Sequence, residues 1–301
     1  MPTLNKEIIM SISAQLVKEL REKTGVGMMD CKKALNETKG DVEKAIDYLR
    51  KSGQAKADKK ANRIAAEGAI LIGSDSANKT TVMLEINSET DFVAKDQKFL
   101  SFANRVLEAL IRSDVDSVEA LSELILPGSG SVDEARKQLI AEIGENISIR
   151  RFMRYLSSNT LGSYSHMGRI GVIVEIDGGD NQLAKDIAMQ VAANNPAYLD
   201  ASSIPSEALN REEDILTAQA IAEGKPREIV EKMISGRIAK FVGQVTLLGQ
   251  PFIKDPDISI EKLISKSSAA VVSFTRYELG EGIEKKVDDF VEEVRKQSGI
   301  S

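Results

Sequence analysis

Cysteine and histidine are almost missing from this sequence: Cys31 and His166 are the sole residues of their kinds in 301 positions. One cysteine excludes an intramolecular disulfide and a cysteine-based zinc site, and it points to a reducing compartment. One histidine removes paired-histidine metal motifs such as H-E-x-x-H, and beside a single cysteine it leaves few ways to build a nucleophilic triad. No apolar run approaches the roughly 18 residues that span a bilayer. The opening MPTLNKEIIM has neither a signal-peptide core nor the Arg-rich, acid-poor character of a transit peptide, so a cytoplasmic location is expected. There is no G-x-x-x-x-G-K-[ST] loop. The two G-x-G pieces, at Gly25/Gly27 and Gly280/Gly282, lack both the third glycine and the strand-to-helix setting of a dinucleotide fingerprint. Carboxylates are plentiful, but no spacing marks an acid–base pair. Neither catalysis, nor a cofactor, nor a resident metal is expected.

What is present is ordinary for a soluble globular chain: 29% charged residues and 42% hydrophobic ones, with length for two or three domains. The net charge of −6 argues against a protein built to coat phosphate backbones. The charge is unevenly spread. Residues 1–63 carry 14 basic and 9 acidic side chains, against 26 and 37 in the remainder, which marks a first unit.

Within that unit, Leu16, Val17 and Leu20 have helical spacing after serine caps at Ser11 or Ser13, and the run ends at Gly25. A second helix fits residues 28–37. Gly40 stops that segment, and Asp41 caps a third helix with Val42, Ala45, Ile46 and Leu49 on one stripe. Residues 54–66 (QAKADKKANRIAA) read as an exposed connecting helix, with Lys56, Lys59, Lys60 and Arg63 as a solvated face. The period then changes. Residues 82–86 (VMLEI) predict a short strand, and Phe99, Phe102, Ala103, Val106 and Leu110 an amphipathic helix. The pattern recurs at 172–176 (VIVEI), a turn at Asp177-Gly178-Gly179, and a helix bearing Leu183, Ile187, Met189 and Val191. Glu85 and Glu175 hold equivalent places, which suggests two similar α+β halves. Residues 206–242 predict a helical hairpin broken at Gly224 and Pro226, of a kind that serves contact or dimerisation. The chain returns through Gly249-Gln250-Pro251 to a β-rich run at 270–277 and ends in a helix at about 283–297.

Three features bear on function. Thr90-Asp91-Phe92-Val93 leaves the first apolar strand. Phe92 lies seven residues before Phe99, so spacing alone favours its joining the core stripe; the alternative has Phe92 projecting into a partner pocket, with Asp91 fixing the turn. Met28 and Met29 open the second helix, where flexible thioethers suit a partner surface, although residue type alone favours core filling. His166, between Tyr164 and Arg169, reads first as a structural hydrogen-bonding residue.

Taken together, QLVKELREKTGVGMMDCKKAL at 15–35, TDFVAKD at 90–96, IGENISIRR at 143–151, EGKPREIVEKMISGR at 223–237, LGQPF at 248–252 and ELGEGIEKK at 278–286 resemble the bacterial elongation factor Ts family. The likeness runs in order along essentially the whole chain, with residues 1–10 as an extension of no assigned role. It implies an α+β fold: a ubiquitin-associated-like three-helix bundle with its extension and linker helix over 1–63 and a core N-subdomain over 64–158. A core C-subdomain over 159–200 and 246–282, an inserted dimerisation region over 201–245 and a C-terminal helical module over 283–301 complete it. It also implies a role in translation elongation, as a guanine-nucleotide exchange factor for elongation factor Tu, the GTPase that delivers aminoacyl-tRNA. Such a factor binds the GDP-bound form and stabilises the nucleotide-free one, without nucleic acid or membrane, and with a homodimer through 201–245 as an option. On this resemblance Arg21, Met28 and Met29 contact the GTPase's nucleotide domain. Thr90, Asp91, Phe92 and Val93 form the exchange element, of which Asp91 and Phe92 intrude near the GTPase's Mg²⁺ and nucleotide site, and His166 touches the same partner from the core.

Competing readings come from other classes. A ubiquitin-associated-like adaptor would use only the first 55 or so residues and leave nucleotide release untouched. A nucleic-acid binder acting through residues 56–63 would lose affinity steeply with salt. Neither accounts for TDFV, the hairpin and LGQPF occurring together.

Overall fold

The structure, a computed structural model, describes residues 12–77, 79–222 and 227–284. The extension at 1–10, the hairpin break at 224–226 and nearly all of the helix expected at 283–297 lie outside them. The fold is mixed α+β. The helices are α1 (Ala14–Thr24), α2 (Met28–Glu37), α3 (Val42–Lys60), α4 (Asp91–Ala94), α5 (Gln97–Ile111), α6 (Val118–Glu123), α7 (Val132–Ile143), α8 (Asn181–Asn194), α9 (Ser206–Ala222), α10 (Arg227–Val245) and α11 (Ile260–Lys266). The strands are β1 (Glu67–Asp75), β2 (Thr80–Ser88), β3 (Ile125–Leu126), β4 (Gly130–Ser131), β5 (Ile147–Leu156), β6 (Thr160–His166), β7 (Ile170–Asp177), β8 (Pro251–Phe252), β9 (Asp255–Ser259) and β10 (Ala270–Glu278). Two three-stranded sheets run in the orders β1-β2-β5 and β10-β7-β6. The apolar runs VMLEI and VIVEI are the middle strands of these sheets. Each follows its first neighbour in sequence and waits for a distant third, which is the repeated pattern expected.

The described chain forms two compact units, each assembled from non-contiguous segments. The first holds the residues up to Ala69, then Glu85–Arg151, then those from Leu279 onward. Its N-terminal bundle is built as its caps dictate: Ser13 accepts from the Leu16 amide at 3.2 Å, Gly25 ends α1 at φ 70°, and Asp41 accepts from the Lys44 amide at 3.1 Å. Val17, Leu20, Cys31, Ala34, Leu35, Ala45 and Leu49 fill the interior. Ile46, fourth on the expected stripe, is instead exposed. The reading of 54–66 as an exposed connection also needs correction. Helix α3 continues unbroken to Lys60, and Gly53 and Ala57 are buried. Gly53 faces α7 so closely that a Cβ there would stand 3.1 Å from that of Ala141. Small side chains let two helices approach without a hydrophobic stripe. Lys56 pairs with Asp30 at 2.7 Å, and the Lys60 amine donates to the Gly144 carbonyl.

Helix α5 buries Phe99, Phe102, Ala103, Val106 and Leu110, as its spacing predicts. Helix α7 opens with a capping box between Ser131 and Glu134 and ends at Gly144, φ 93°.

The second unit holds Ile70–Leu84 and Phe152–Glu278. In its sheet β7 pairs antiparallel with both neighbours, and α8 covers one face, packing Leu183, Ile187 and Val191 onto Val172, Val174 and Ile176. Gly162 on β6 makes this approach tight: a Cβ there would lie 2.3 Å from the Ala184 carbonyl carbon. Helices α9 and α10 form the expected hairpin. Its base is closed by backbone bonds from Ala197 and Tyr198 to the Val245 carbonyl, at 2.9 and 3.1 Å, and from Leu247 to Tyr198 at 2.8 Å. The LGQPF segment follows, and its Gln250 shares a buried amide network with Gln190 at 3.0 Å. Among the described residues, no helix is long and apolar enough to cross a membrane.

Candidate functional site

The turn that leaves β2 is built by two successive caps. Thr90 is extended (φ −124°, ψ 157°) and its hydroxyl accepts from the Val93 amide at 3.4 Å, opening the single turn α4. Asp96 then caps α5, accepting from the Lys98 amide at 2.8 Å. The caps split what spacing alone reads as one helix. Phe92 is thereby rotated off the stripe begun by Phe99 and stands 81% exposed, while its neighbour Val93 is buried. The core-stripe reading fails here: Phe92 projects from the turn, and the turn is fixed by Thr90 and not by Asp91. An aromatic ring left in water on a short turn costs hydrophobic free energy, of about 2 kcal/mol for a fully exposed side chain, that folding alone does not recover. Asp91 faces solvent and pairs with Lys95 at 2.7 Å.

Residues of the IGEN stretch, ahead of β5, anchor the turn. The Glu145 carboxylate accepts from the Thr90 amide at 3.0 Å and from the Thr90 hydroxyl at 2.8 Å. In return the Glu89 carboxylate accepts from the Asn146 amide at 2.6 Å. The Ser88 hydroxyl donates to the Thr90 carbonyl at 2.9 Å. Asn146, itself buried, donates its side-chain amide to the carbonyls of Ala61, at 3.3 Å, and Arg63, at 2.8 Å. Residue spacing did not single out Glu89, Glu145 or Asn146. The available signal was a glycine helix stop followed at once by an acid and an amide.

Arg21 lies exposed in the last turn of α1. Met28 and Met29 open α2 and are 49% and 78% exposed, so neither fills the core as residue type suggests. Val26, just before them, occupies the bundle interior at that end. Arg21, Met28, Met29 and Thr90–Val93 all belong to the first unit, and His166 belongs to the second. His166 ends β6 beside the three-residue connection Met167-Gly168-Arg169, in which Met167 and Gly168 have the positive φ values (52° and 68°) that suit a tight hairpin. Its ring stacks on Tyr164 with centroids 6.3 Å apart, its Nδ1 is 3.3 Å from the Tyr164 hydroxyl, and it is exposed.

Glu85 is fully buried in β2. It accepts from Arg150 at 2.9 Å, Arg151 at 2.6 Å and the Gly280 amide at 2.9 Å. Burial alone would raise its pKa, but the Gly280 amide and the two guanidinium groups outweigh it and hold the carboxyl below its ordinary range. No group of three or more potential metal ligands exists among the described residues. The exposed residues thus offer a protruding aromatic, a methionine pair and a histidine, which suit docking to a macromolecule better than turnover of a small one.

Residues 89–281 match the family model described as Elongation factor TS. The chain is 54% identical to elongation factor Ts of Legionella pneumophila (strain Paris) over 287 residues, covering 95% of this chain and 98% of that protein. It is likewise 54% identical to that of Thioalkalivibrio sulfidiphilus over 292 residues (96% and 99%), and 50% identical to that of Xylella fastidiosa over 294 (97% and 100%). With its protruding Phe92 turn, its three-helix N-terminus and its two related sheets, the chain belongs to the elongation factor Ts family.

Proposed function

We propose that this chain is the guanine-nucleotide exchange factor of elongation factor Tu in the cytoplasm, acting through protein contact and without covalent chemistry. The observation that carries the reading is Phe92: an aromatic side chain 81% exposed on a turn that four hydrogen bonds hold in place. A partner that binds the nucleotide-free GTPase more tightly than the GDP-bound form must, by linkage, weaken GDP. In this reading Arg21, Met28 and Met29 dock on the nucleotide domain, and His166 adds a contact from the second unit. Asp91 and Phe92, braced by Thr90 and Val93, displace the elements that hold Mg²⁺ and the phosphates. Mg²⁺ neutralises charge on GDP, so loosening its site raises the nucleotide off-rate. An inserted ring moves a packed element between discrete positions, because close-packed interiors do not deform smoothly. The α9–α10 hairpin is available for self-association.

Release of a fluorescent GDP analogue from elongation factor Tu tests this. Wild-type protein is expected to accelerate release strongly, and Phe92→Ala to retain fold and partner binding while losing most of that acceleration. Wild-type rates in the variant would move the mechanism away from Phe92. No acceleration by either protein would leave the adaptor reading.

A further inference from the structure

We infer that Glu145 is a positioning residue for exchange: its carboxylate sets the pose in which the turn presents Phe92 to the partner. The inference rests on the exchange reading above and adds to it a residue that acts on Phe92 through Thr90.

The need for such a residue follows from the turn itself. Phe92 is too exposed for neighbouring side chains to fix its direction, so the backbone must. That backbone is a helix of four residues, Asp91–Ala94, far below the length at which a helix holds its own shape in water. Order must come from outside, and the largest share comes from Glu145. One carboxylate takes both the amide and the hydroxyl of Thr90, at 3.0 and 2.8 Å, in a two-point grip that fixes rotation as well as position. Thr90 is the cap of α4, so its orientation is passed directly to Phe92 two residues on.

Glu145 is itself held. It sits between Gly144, whose carbonyl receives the Lys60 amine, and Asn146, whose side chain is bonded to the carbonyls of Ala61 and Arg63. The return bond from the Asn146 amide to Glu89, at 2.6 Å, closes a ring of contacts around the turn. Glu145 is only partly buried, so its removal opens no large cavity and strands no deeply buried charge. Its role is therefore separable from bulk stability.

The test combines Glu145→Ala, Glu145→Gln, Phe92→Ala and the Phe92→Ala/Glu145→Ala double variant. On exchange, Glu145→Ala is expected to lower the maximal rate of GDP release about tenfold or more, a tenfold loss being the lower end of what a single hydrogen bond to a charged group contributes, with little change in the half-saturating concentration. Glu145→Gln should recover most of that rate, because its amide oxygen accepts from the Thr90 amide while its N–H donates to the hydroxyl. In the Phe92→Ala background, Glu145→Ala should cost nothing more, since residues acting through one another are not additive. Additive losses would overturn the proposal. In the free protein, amide hydrogen exchange across residues 90–95 should speed up by about tenfold or more in Glu145→Ala, while α5 amides stay as in wild type. Unchanged protection at 90–95 would overturn it whether or not the wild type releases GDP, whereas failure of wild-type release would sink the exchange reading by itself.

Discussion

Glu85 and Glu175 hold the same place in the two repeated strands and are satisfied differently. Glu85 is buried against two arginines and a backbone amide, whereas Glu175 accepts from Ser157 at 2.5 Å and Asn159 at 2.9 Å. A charged residue inside VMLEI was visible in the sequence; the arginines that neutralise it, 65 and 66 positions away, were not. The Glu85 pKa is depressed, so its stabilisation is complete above the ordinary carboxyl value of 4.5 and is lost as pH falls through the lower folded-state value. Glu85→Gln is therefore expected to cost about 3 kcal/mol at neutral pH, the scale of breaking a buried ion pair. In chemical denaturation from pH 7 downward, the gap to wild type should stay constant until about pH 4.5 and close below it. A gap independent of pH would mean that the carboxylate's charge contributes nothing. Phe92 is the opposite case, in which the local code was fully legible and periodicity misread it. The two caps, Thr90 and Asp96, are both favoured cap residues, and their chemistry overrides a seven-residue spacing.

At the scale of elements, periodicity and caps made α1, α2, α5, α8 and the α9–α10 hairpin readable, with the strands β2, β7 and β10, whereas β1, β5, β6 and α7 carried no pattern that singled them out. The far end of α3 was not readable either, because its packing uses Gly53 and Ala57, which no hydrophobic pattern marks. Close helix approach makes a sharp demand on residue size. Gly53→Leu should destabilise by about 2 kcal/mol through overpacking against Ala141. Gly53→Ala should lie near neutral, the gain in helix propensity of about 1 kcal/mol offsetting a Cβ–Cβ distance of 3.1 Å. Urea melts of the two variants decide it; a harmless leucine would show that α3 and α7 can part. Gly162 is stricter, since its neighbour is backbone rather than side chain. Gly162→Ala should lower stability by more than about 2 kcal/mol, because α8 as a whole must move.

At the scale of the molecule, the charge imbalance between residues 1–63 and the rest was plain in the sequence. The assembly of each compact unit from non-contiguous segments was not, because composition reports neighbours along the chain and not across it. On the exchange reading the molecule separates grip from action. Met29 is 78% exposed at a helix start, so Met29→Ala should leave the melting temperature unchanged. It should raise the half-saturating concentration for GDP release about tenfold, as loss of an interface anchor does, without lowering the maximal rate. Phe92→Ala should do the reverse. Equal effects on both parameters from both variants would show one continuous contact instead. The same N-terminal bundle also carries a timekeeper. Cys31 is fully enclosed, its thiol turned toward the Val26 carbonyl at 3.4 Å, and no second thiol exists anywhere in the chain. A thiol reagent can therefore mark this protein only when the bundle breathes, so the rate of labelling counts its openings one by one.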